Sequence, residues 1–207
     1  MAVLYTTVEK EASAEQTIER SRFISYIKPV KTREEAEAFF SYVNDRHKDA
    51  RHCVPAFVIG DKMQLQWASD NGEPQGTAGA PIVQMLVKEG ITNVAVGVIR
   101  YFGGIKLGTG GLVRAYTSSA RLALEAAGIH QVREMCLMTV SLPYNLLGKL
   151  QNLEKSMAFT IEDIEYGAEV SVLLAFEPEE EASITAMLSD FLSGKLEGRV
   201  SVERTVM

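Results

Sequence analysis

The sequence predicts an α+β protein of two domains, and three observations lead to this prediction. The chain has 207 residues, a length that suits one or two domains with cores of their own. Its charge is uneven, because residues 1–135 hold 16 Lys and Arg against 15 Asp and Glu, whereas residues 136–207 hold 5 against 12. The apolar periods of the second part also give a complete β-α-β-β-α-β series. We therefore expect domains at 1–130 and 135–207.

The elements of the first domain follow from apolar periodicity and from the residues that start and end helices and turns. Strands are predicted over residues 17–30, 52–59, 63–68 and 94–99. Helices are predicted from Thr32, over 82–88 and over 112–127. The T-R-E-E segment at Thr32 is a capping box, and Gly128 ends the last of these helices.

The second domain has the clearer pattern. Strands are predicted over residues 136–142, 158–164 and 169–176 and from Val200, with helices over 145–157 and from Pro178. This order is that of the ferredoxin-like split βαβ arrangement, in which two helices cover one face of an antiparallel sheet.

Several protein classes are excluded by composition. No run of 18 apolar residues exists, so no membrane span is expected. The N-terminus lacks the basic and apolar regions of a signal peptide. Cys53 and Cys136 form neither a disulfide framework nor a CxxC motif, which suits a reducing cytoplasm. We therefore expect a cytoplasmic protein with no metal and no membrane contact.

The strongest motif is the segment GGIKLGTGGLVR at residues 103–114, between a buried strand and a helix. Glycines let backbone N–H groups approach a ligand, and a helix N-terminus adds free N–H groups and a positive dipole end. It matches neither the GxxxxGK[ST] nor the GxGxxG phosphate loop, and no cofactor is predicted. The candidate anion-binding residues here are Gly103, Gly104, Lys106, Gly108, Thr109, Gly110, Gly111 and Arg114. Arg114 is expected in the first helical turn, where a bound anion would offset its unfavourable interaction with the dipole. A tight structural turn with a solvated Arg114 is the alternative.

A second candidate surface is the loop DNGEPQGTAG at residues 70–79. Asp70 and Glu73 could perform acid–base chemistry or hold Mg²⁺. We favour the alternative that carboxylates here accept backbone N–H groups and hold the loop shape, with Gly76 and Thr77 as further surface residues. Upstream, His52 begins a strand next to Cys53, so their side chains point to opposite faces and do not form a nucleophile pair.

Four segments together carry a family resemblance: SRF at 21–23, HKDARH at 47–52, SDNGEPQGTAGAPI at 69–82 and RYFGGIKLGTGGLVRAY at 100–116. They resemble the YigZ/IMPACT family. The resemblance implies an N-terminal α/β domain like that shared by a ribosomal-protein domain and the GHMP kinases. It also implies a C-terminal domain similar to the last domain of elongation factor G.

The resemblance further implies a link to translation, because eukaryotic members act in translational control by competing for a ribosome-associated activator of a starvation kinase. It adds Arg22, His52 and Arg100 to the candidate binding residues. Two positions depart from the family pattern: Cys53 directly follows His52, and Asn71 stands where the family usually has a second Asp.

Three functions remain open from the sequence. The leading hypothesis is a non-enzymatic module that binds RNA, the ribosome or a translation-factor partner through the acid-free stretch between Glu89 and Glu125. That stretch carries Arg100, Lys106, Arg114 and Arg121. The second is an enzyme that acts on a phosphate-bearing small molecule at the glycine-rich loop, with Glu73 or Asp70 as base. The third is a competitor for a protein partner that binds no ligand.

Overall fold

The structure is a computed structural model that describes residues 3–194 with their side chains and residues 200–206 as backbone. It is an α+β protein with two antiparallel sheets and five α-helices in the described residues. The chain divides into two compact units, Leu4–Gln131 and a second unit that begins at Val132. No helix in the described part of the chain has an apolar stretch long enough to cross a bilayer.

The first unit is built on one five-stranded sheet with helices on both faces. Its elements are β1 (Val3–Val8), β2 (Ala12–Ile18), β3 (Ser21–Pro29), α1 (Arg33–Arg46), β4 (His52–Ile59), β5 (Leu65–Ala68), α2 (Gly79–Lys88), β6 (Val94–Tyr101) and α3 (Gly108–Ala127). The strand order is β2-β3-β6-β4-β5, with every neighbour antiparallel. An apolar core lies on each face of the sheet. One core contains side chains of α1, and the other contains side chains of α2 and α3. Successive residues of each central strand therefore alternate between two cores.

Helix α1 begins as its sequence predicts. The Thr32 hydroxyl accepts the backbone N–H of Glu35 at 3.2 Å, and the Glu35 carboxylate reaches back to the N–H of Lys31 at 2.7 Å. This is a capping box whose return bond lies one residue earlier than usual. The predicted apolar stripe is buried, as Ala36, Phe39, Phe40 and Val43.

The single strand predicted over residues 17–30 is wrong, because the chain folds there into the hairpin β2–β3. Its two turn residues, Glu19 and Arg20, have left-handed backbones with φ of 45° and 63°. Two such residues give the two-residue turn whose twist suits a hairpin. Neither is glycine or asparagine, so the local sequence does not show the turn.

Helix α3 begins at Gly108, four residues before the predicted start at 112. Glycine lowers intrinsic helix propensity, so the local sequence at Gly108, Gly110 and Gly111 does not indicate a helical turn. Burial of Leu112, Ala115 and Tyr116 against the sheet outweighs that cost. The predicted position of Arg114 is therefore corrected: it is the seventh residue of α3 and lies in the second turn, beyond the reach of the dipole effect.

The second unit shows the predicted β-α-β-β-α-β order. Its elements are β7 (Ile129–Leu142), α4 (Tyr144–Leu153), β8 (Thr160–Tyr166), β9 (Val170–Phe176), a 3-10 turn (Pro178–Glu180), α5 (Glu181–Phe191) and β10 (Val200–Val206). Strands β10, β7, β9 and β8 lie side by side in that order, and all are antiparallel. The inner faces of β7 and β9 and the apolar sides of α4 and α5 form a separate core.

We predict that the two units fold independently, because the second has its own apolar core around Met138, Leu150, Val172 and Ile184. Residues 1–131 and 132–207 expressed as separate chains should each give a sigmoidal thermal transition in circular dichroism. A fragment 132–207 that shows no cooperative transition contradicts the prediction.

Candidate functional site

A cavity of about 380 Å³ opens where β4 begins and β6 ends. Three further segments close it: the loop before α2, the loop after β6 and the first turn of α3. The polar side chains that line it are those of Arg51, His52, Glu73, Arg100, Lys106 and Thr109. Phe102, Leu107 and Leu112 add apolar surface. The cavity is therefore both charged and apolar, as small-ligand sites usually are.

Strand register explains why these residues meet. His52 of β4 and Phe23 of β3 lie directly opposite Arg100 of β6, on its two sides. Because side chains alternate along a strand, Arg100 lies on the same face as Val96 and Val98, which pack beneath α2 and α3. The side chains of Phe23, Arg100 and His52 thus form a row across one end of the sheet.

A buried ion pair lies at the centre of this end of the sheet. Arg100 Nη1 donates to Glu73 Oε1 at 2.8 Å, and the two side chains are only 6% and 4% exposed. The hydroxyl of Tyr116, from α3, donates to the same Oε1 at 2.7 Å. Burial, together with the hydrogen bond to Glu73, raises the pKa of Tyr116, so the hydroxyl stays protonated and remains a donor.

Two aromatic rings flank the Arg100 guanidinium. Its Cζ lies 5.6 Å from the centroid of Phe23 and 5.4 Å from that of Phe102. The Phe23 ring also makes an edge-to-face contact with Tyr116 at 5.3 Å between centroids. These cation–π contacts hold the cation where it meets Glu73.

Ser21 and Gly103 join the glycine-rich loop to the start of β3. The Ser21 hydroxyl accepts the N–H of Gly103 at 3.2 Å and lies 3.4 Å from Arg100 Nη2. A Cβ at Gly103 would collide with the Arg20 carbonyl oxygen, so this position requires glycine. Gly104 and Gly108 have φ of 89° and 69° and shape the loop that leads to α3.

Asp70 holds the loop that delivers Glu73. Its carboxylate accepts three backbone N–H groups, from Gly76 at 2.7 Å, Ala78 at 3.0 Å and Gly79 at 2.9 Å. Partial burial alone would raise the pKa of Asp70, but the three N–H donors outweigh it and lower the pKa below its usual value. The Thr77 hydroxyl closes the same loop by donating to the Pro74 carbonyl at 2.6 Å. Asp70 and Glu73 are thus engaged by different protein groups and do not converge on a shared metal position.

His52 is tied to the same loop. Its Nδ1 lies 3.1 Å from the Asn71 carbonyl oxygen, and a carbonyl only accepts, so Nδ1 carries a proton. In the neutral ring Nε2 then carries the lone pair. The Asn71 amide donates in turn to the Cys53 carbonyl at 2.9 Å, which a carboxylate at this position could not do. The departure from the family's second Asp therefore has a structural role.

Cys53 is separated from the cavity. Its side chain packs in the core beneath α1, on the face opposite His52. Burial raises the pKa of the Cys53 thiol to about 11, so it stays protonated at neutral pH.

Arg22 also lies away from the cavity. It pairs with Glu15 through two hydrogen bonds of 2.7 and 2.8 Å, and its Cζ lies 5.9 Å from the ring centroid of Tyr101. Tyr101 belongs to a separate hydrogen-bond chain that uses the HKDARH segment: His47 lies 2.9 Å from the Tyr101 hydroxyl, which donates to Asp49 at 2.9 Å. The structure therefore does not bring Arg22 together with the other candidate residues.

The glycine-rich segment serves two cavities. Lys106 and Gly108 line the first, whereas Gly111 and Arg114 line a second of about 460 Å³ that Lys106 also borders. Gly110 lies in the first turn of α3. A Cβ placed on it would lie 3.7 Å from Arg114 Nη1. Lys106 is thus the cation common to both cavities.

The expected basic surface is interrupted by ion pairs. Of its four cations, Arg100 is paired with Glu73 and Arg121 is paired with Glu89 at 2.7 Å. Lys106 and Arg114 make no ion pair with any residue whose side chain the structure describes. The absence of acids along the sequence from 90 to 124 did not reveal these pairs, because both carboxylates come from other segments.

Sequence reasoning did not select three residues of the site: Arg51, Phe102 and Tyr116. Phe102 and Tyr116 lie inside the quoted motif at 100–116, but the sequence assigned them no role. The available signal was an aromatic residue, Phe102, directly before a glycine pair.

Comparisons with known proteins cover nearly the whole chain. The model of the Impact N-terminal domain matches residues 19–124, and that of a domain of unknown function, DUF1949, matches residues 140–195. IMPACT family member YvyE of Bacillus subtilis is 37% identical over 92% of this chain and 88% of its own. IMPACT family member YigZ of Escherichia coli is 36% identical over 88% of this chain and 90% of its own. A crystal structure of a hypothetical protein shares 32% identity and a TM-score of 0.60, covering 96% of this chain and 95% of that one.

Removing Glu73 should strongly destabilise the protein. Glu73→Ala leaves the Arg100 guanidinium buried without its counter-ion, and we expect a loss of about 3–5 kcal/mol in the free energy of unfolding. Urea denaturation measures this loss. The control is Glu15→Ala at the solvated Arg22 pair, which should leave the midpoint unchanged. Equal midpoints for both variants would contradict a stabilising role for the buried pair.

The contribution of Asp70 to stability should depend on pH. Because its folded pKa is lowered, the contribution is complete above the unfolded value near 3.8 and is lost as pH falls through the folded pKa. Asp70→Asn keeps one acceptor oxygen but offers none to Gly76, so we expect a loss of about 1 kcal/mol at pH 7. Denaturation of wild type and Asp70→Asn at pH 7 and at pH 3 measures this loss. If the stability difference between the two proteins is no smaller at pH 3, the proposed role of the ionised Asp70 carboxylate is contradicted.

Proposed function

The chain belongs to the IMPACT family, and from this membership we propose that it is a cytoplasmic, translation-linked regulatory protein whose first unit binds RNA phosphate on the ribosome. The family resemblance predicted from the four motifs is confirmed by the matches to both halves of the chain. The link to translation comes from the known role of the family's eukaryotic members.

The observation that carries the proposal is the joining of cations to a helix N-terminus in one cavity. Arg51 and Lys106 line it together with Gly108 and Thr109, the first residues of the 20-residue helix α3. No side chain that the structure describes caps this helix, so its first N–H groups are left to bind an acceptor. Free N–H groups, the dipole and two cations favour a phosphate oxygen.

The charges also limit how much RNA the unit contacts. Arg100 is neutralised by Glu73, and Arg121 by Glu89, which leaves few cations near the cavity. Residues 136–207 add a surplus of acidic residues, 12 against 5 basic ones. Such a protein is suited to one or two phosphates at a defined position, rather than to a long stretch of bare RNA.

A second candidate function is an enzyme that acts on a phosphate-bearing small molecule. The observation in its favour is that His52 and Glu73 line the same cavity as the α3 N-terminus. Against it, Arg100 and Tyr116 both bind the Glu73 oxygen Oε1, which suits a fixed counter-ion better than a base. Release of inorganic phosphate from nucleotides by wild type, abolished in His52→Ala, would favour the enzyme.

Co-sedimentation with purified ribosomes tests the leading proposal. Lys106→Ala should weaken binding several-fold, whereas Lys62→Ala, an exposed cation in the turn after β4, should not. Raising salt from 50 to 200 mM should weaken wild-type binding about 3-fold for one phosphate contact and about 7-fold for two.

Equal binding by the two lysine variants would contradict the RNA contact. If ribosomes bind both variants equally and bare ribosomal RNA binds neither, the partner is a protein of the translation apparatus instead.

A further inference from the structure

We propose that the cavity holds a single unstacked ribonucleotide, with its phosphate at the start of α3, its ribose hydroxyl on Glu73 and its base on Phe102. This inference rests on the proposed RNA contact and deepens it, because it specifies which part of the RNA enters and what distinguishes it from DNA.

Glu73 has one carboxylate oxygen that no described donor uses. The Glu73 side chain is 4% exposed, and both of its described donors, Arg100 and Tyr116, bind Oε1. No described residue donates to Oε2, and this oxygen is not among the fully occluded side-chain atoms that lack a partner. Glu73 lines the cavity, and Oε2 is the carboxylate oxygen that its described protein donors leave for a ligand there. A buried carboxylate oxygen open to a cavity calls for a ligand that brings a donor.

The two ends of the cavity favour different chemical groups. A phosphate is suited to Lys106, Gly108 and Thr109, where N–H groups and a cation collect. It is unsuited to Glu73, whose charge would repel it, although Arg100 offsets part of that charge. The ligand therefore has an anionic end and a hydroxyl-bearing end, and a ribose phosphate has both. A carboxylate that accepts a ribose hydroxyl is a common way to recognise ribonucleotides.

The ring of Phe102 is an exposed aromatic surface in the cavity. It lines the cavity and is 50% exposed, although the Arg100 guanidinium lies 5.4 Å from its centroid. An aromatic side chain left open beside a phosphate site is a stacking surface for an unpaired base. Its neighbours Leu107 and Leu112 extend the apolar wall.

The size of the cavity agrees with one nucleotide. Its volume of about 380 Å³ lies in the range of small-ligand sites. A duplex cannot present a base to such a site, so the RNA is single-stranded at the contact. Stacking accepts every base, so we expect little base preference.

Calorimetric titration of the full-length protein with four probes tests the inference: AMP, dAMP (which lacks the 2′-hydroxyl), ribose 5-phosphate and inorganic phosphate. AMP should bind about five- to tenfold more tightly than dAMP, because only AMP offers the second hydroxyl to Glu73. Ribose 5-phosphate should bind at least about fivefold more weakly than AMP, because it lacks the stacking base.

Phe102→Leu removes the stacking ring and, with it, one of the two rings beside the Arg100 guanidinium, while the Phe23 ring and the hydrogen bond from Arg100 to Glu73 stay in place. It should reduce AMP binding to the level of ribose 5-phosphate and leave ribose 5-phosphate unchanged. Tyr42→Leu removes an equally exposed ring from α1, on the other side of the sheet, and should change neither.

Equal affinities for AMP and dAMP overturn the role of Glu73, and equal affinities for AMP and ribose 5-phosphate overturn the role of Phe102. No binding of AMP at millimolar concentration overturns the whole inference. If ribosome co-sedimentation still depends on Lys106 in that case, the proposed function stands and only the nucleotide site is rejected.

Discussion

The buried ion pair between Arg100 and Glu73 is the interaction on which the rest of the first unit's site depends. Two charges withdrawn from water are stable only if each is held in good geometry against the other. The loop before α2 must therefore hold Glu73 in place, which Asp70 does through three backbone N–H groups. Helix α3 must bring Tyr116 to the same carboxylate oxygen, and β3 must bring Phe23 and Ser21 to the guanidinium. Strand, loop and helix are thereby joined at one point.

The same pair changes the electrostatic character of the acid-free stretch. In sequence, four cations without acids suggest a positive surface, but the fold places carboxylates from elsewhere beside two of them. What remains is a small cavity with cations and a helix N-terminus at one end and a partly engaged carboxylate at the other. A site of this kind favours a ligand that carries both an anion and a hydroxyl over a plain polyanion, because each end requires a different group.

The glycine-rich segment illustrates how one composition serves different physical purposes. Gly103 is required because a side chain would strike the Arg20 carbonyl. Gly104, in the loop before α3, and Gly108, the first residue of α3, adopt positive φ. Gly110 and Gly111 are ordinary helical residues of the first turn. Asn71 also has a specific structural role, because its side-chain amide donates to the Cys53 carbonyl and helps to hold the loop beside His52.

The sequence by itself determined the elements whose signals are local: the capped helix α1 with its buried stripe, the strands β4 and β6, the β-α-β-β-α-β order of the second unit and the family motifs. These follow from side-chain periodicity and capping within a few residues. Only the tertiary structure decided the hairpin at Glu19 and Arg20, the start of α3 at Gly108, and which cation meets which carboxylate. Glu73 lies 27 positions from Arg100 and 43 from Tyr116, and strand register together with helix packing brings these three together. No local pattern encodes a contact between residues so far apart, so the chemistry of the cavity became visible only in the folded chain.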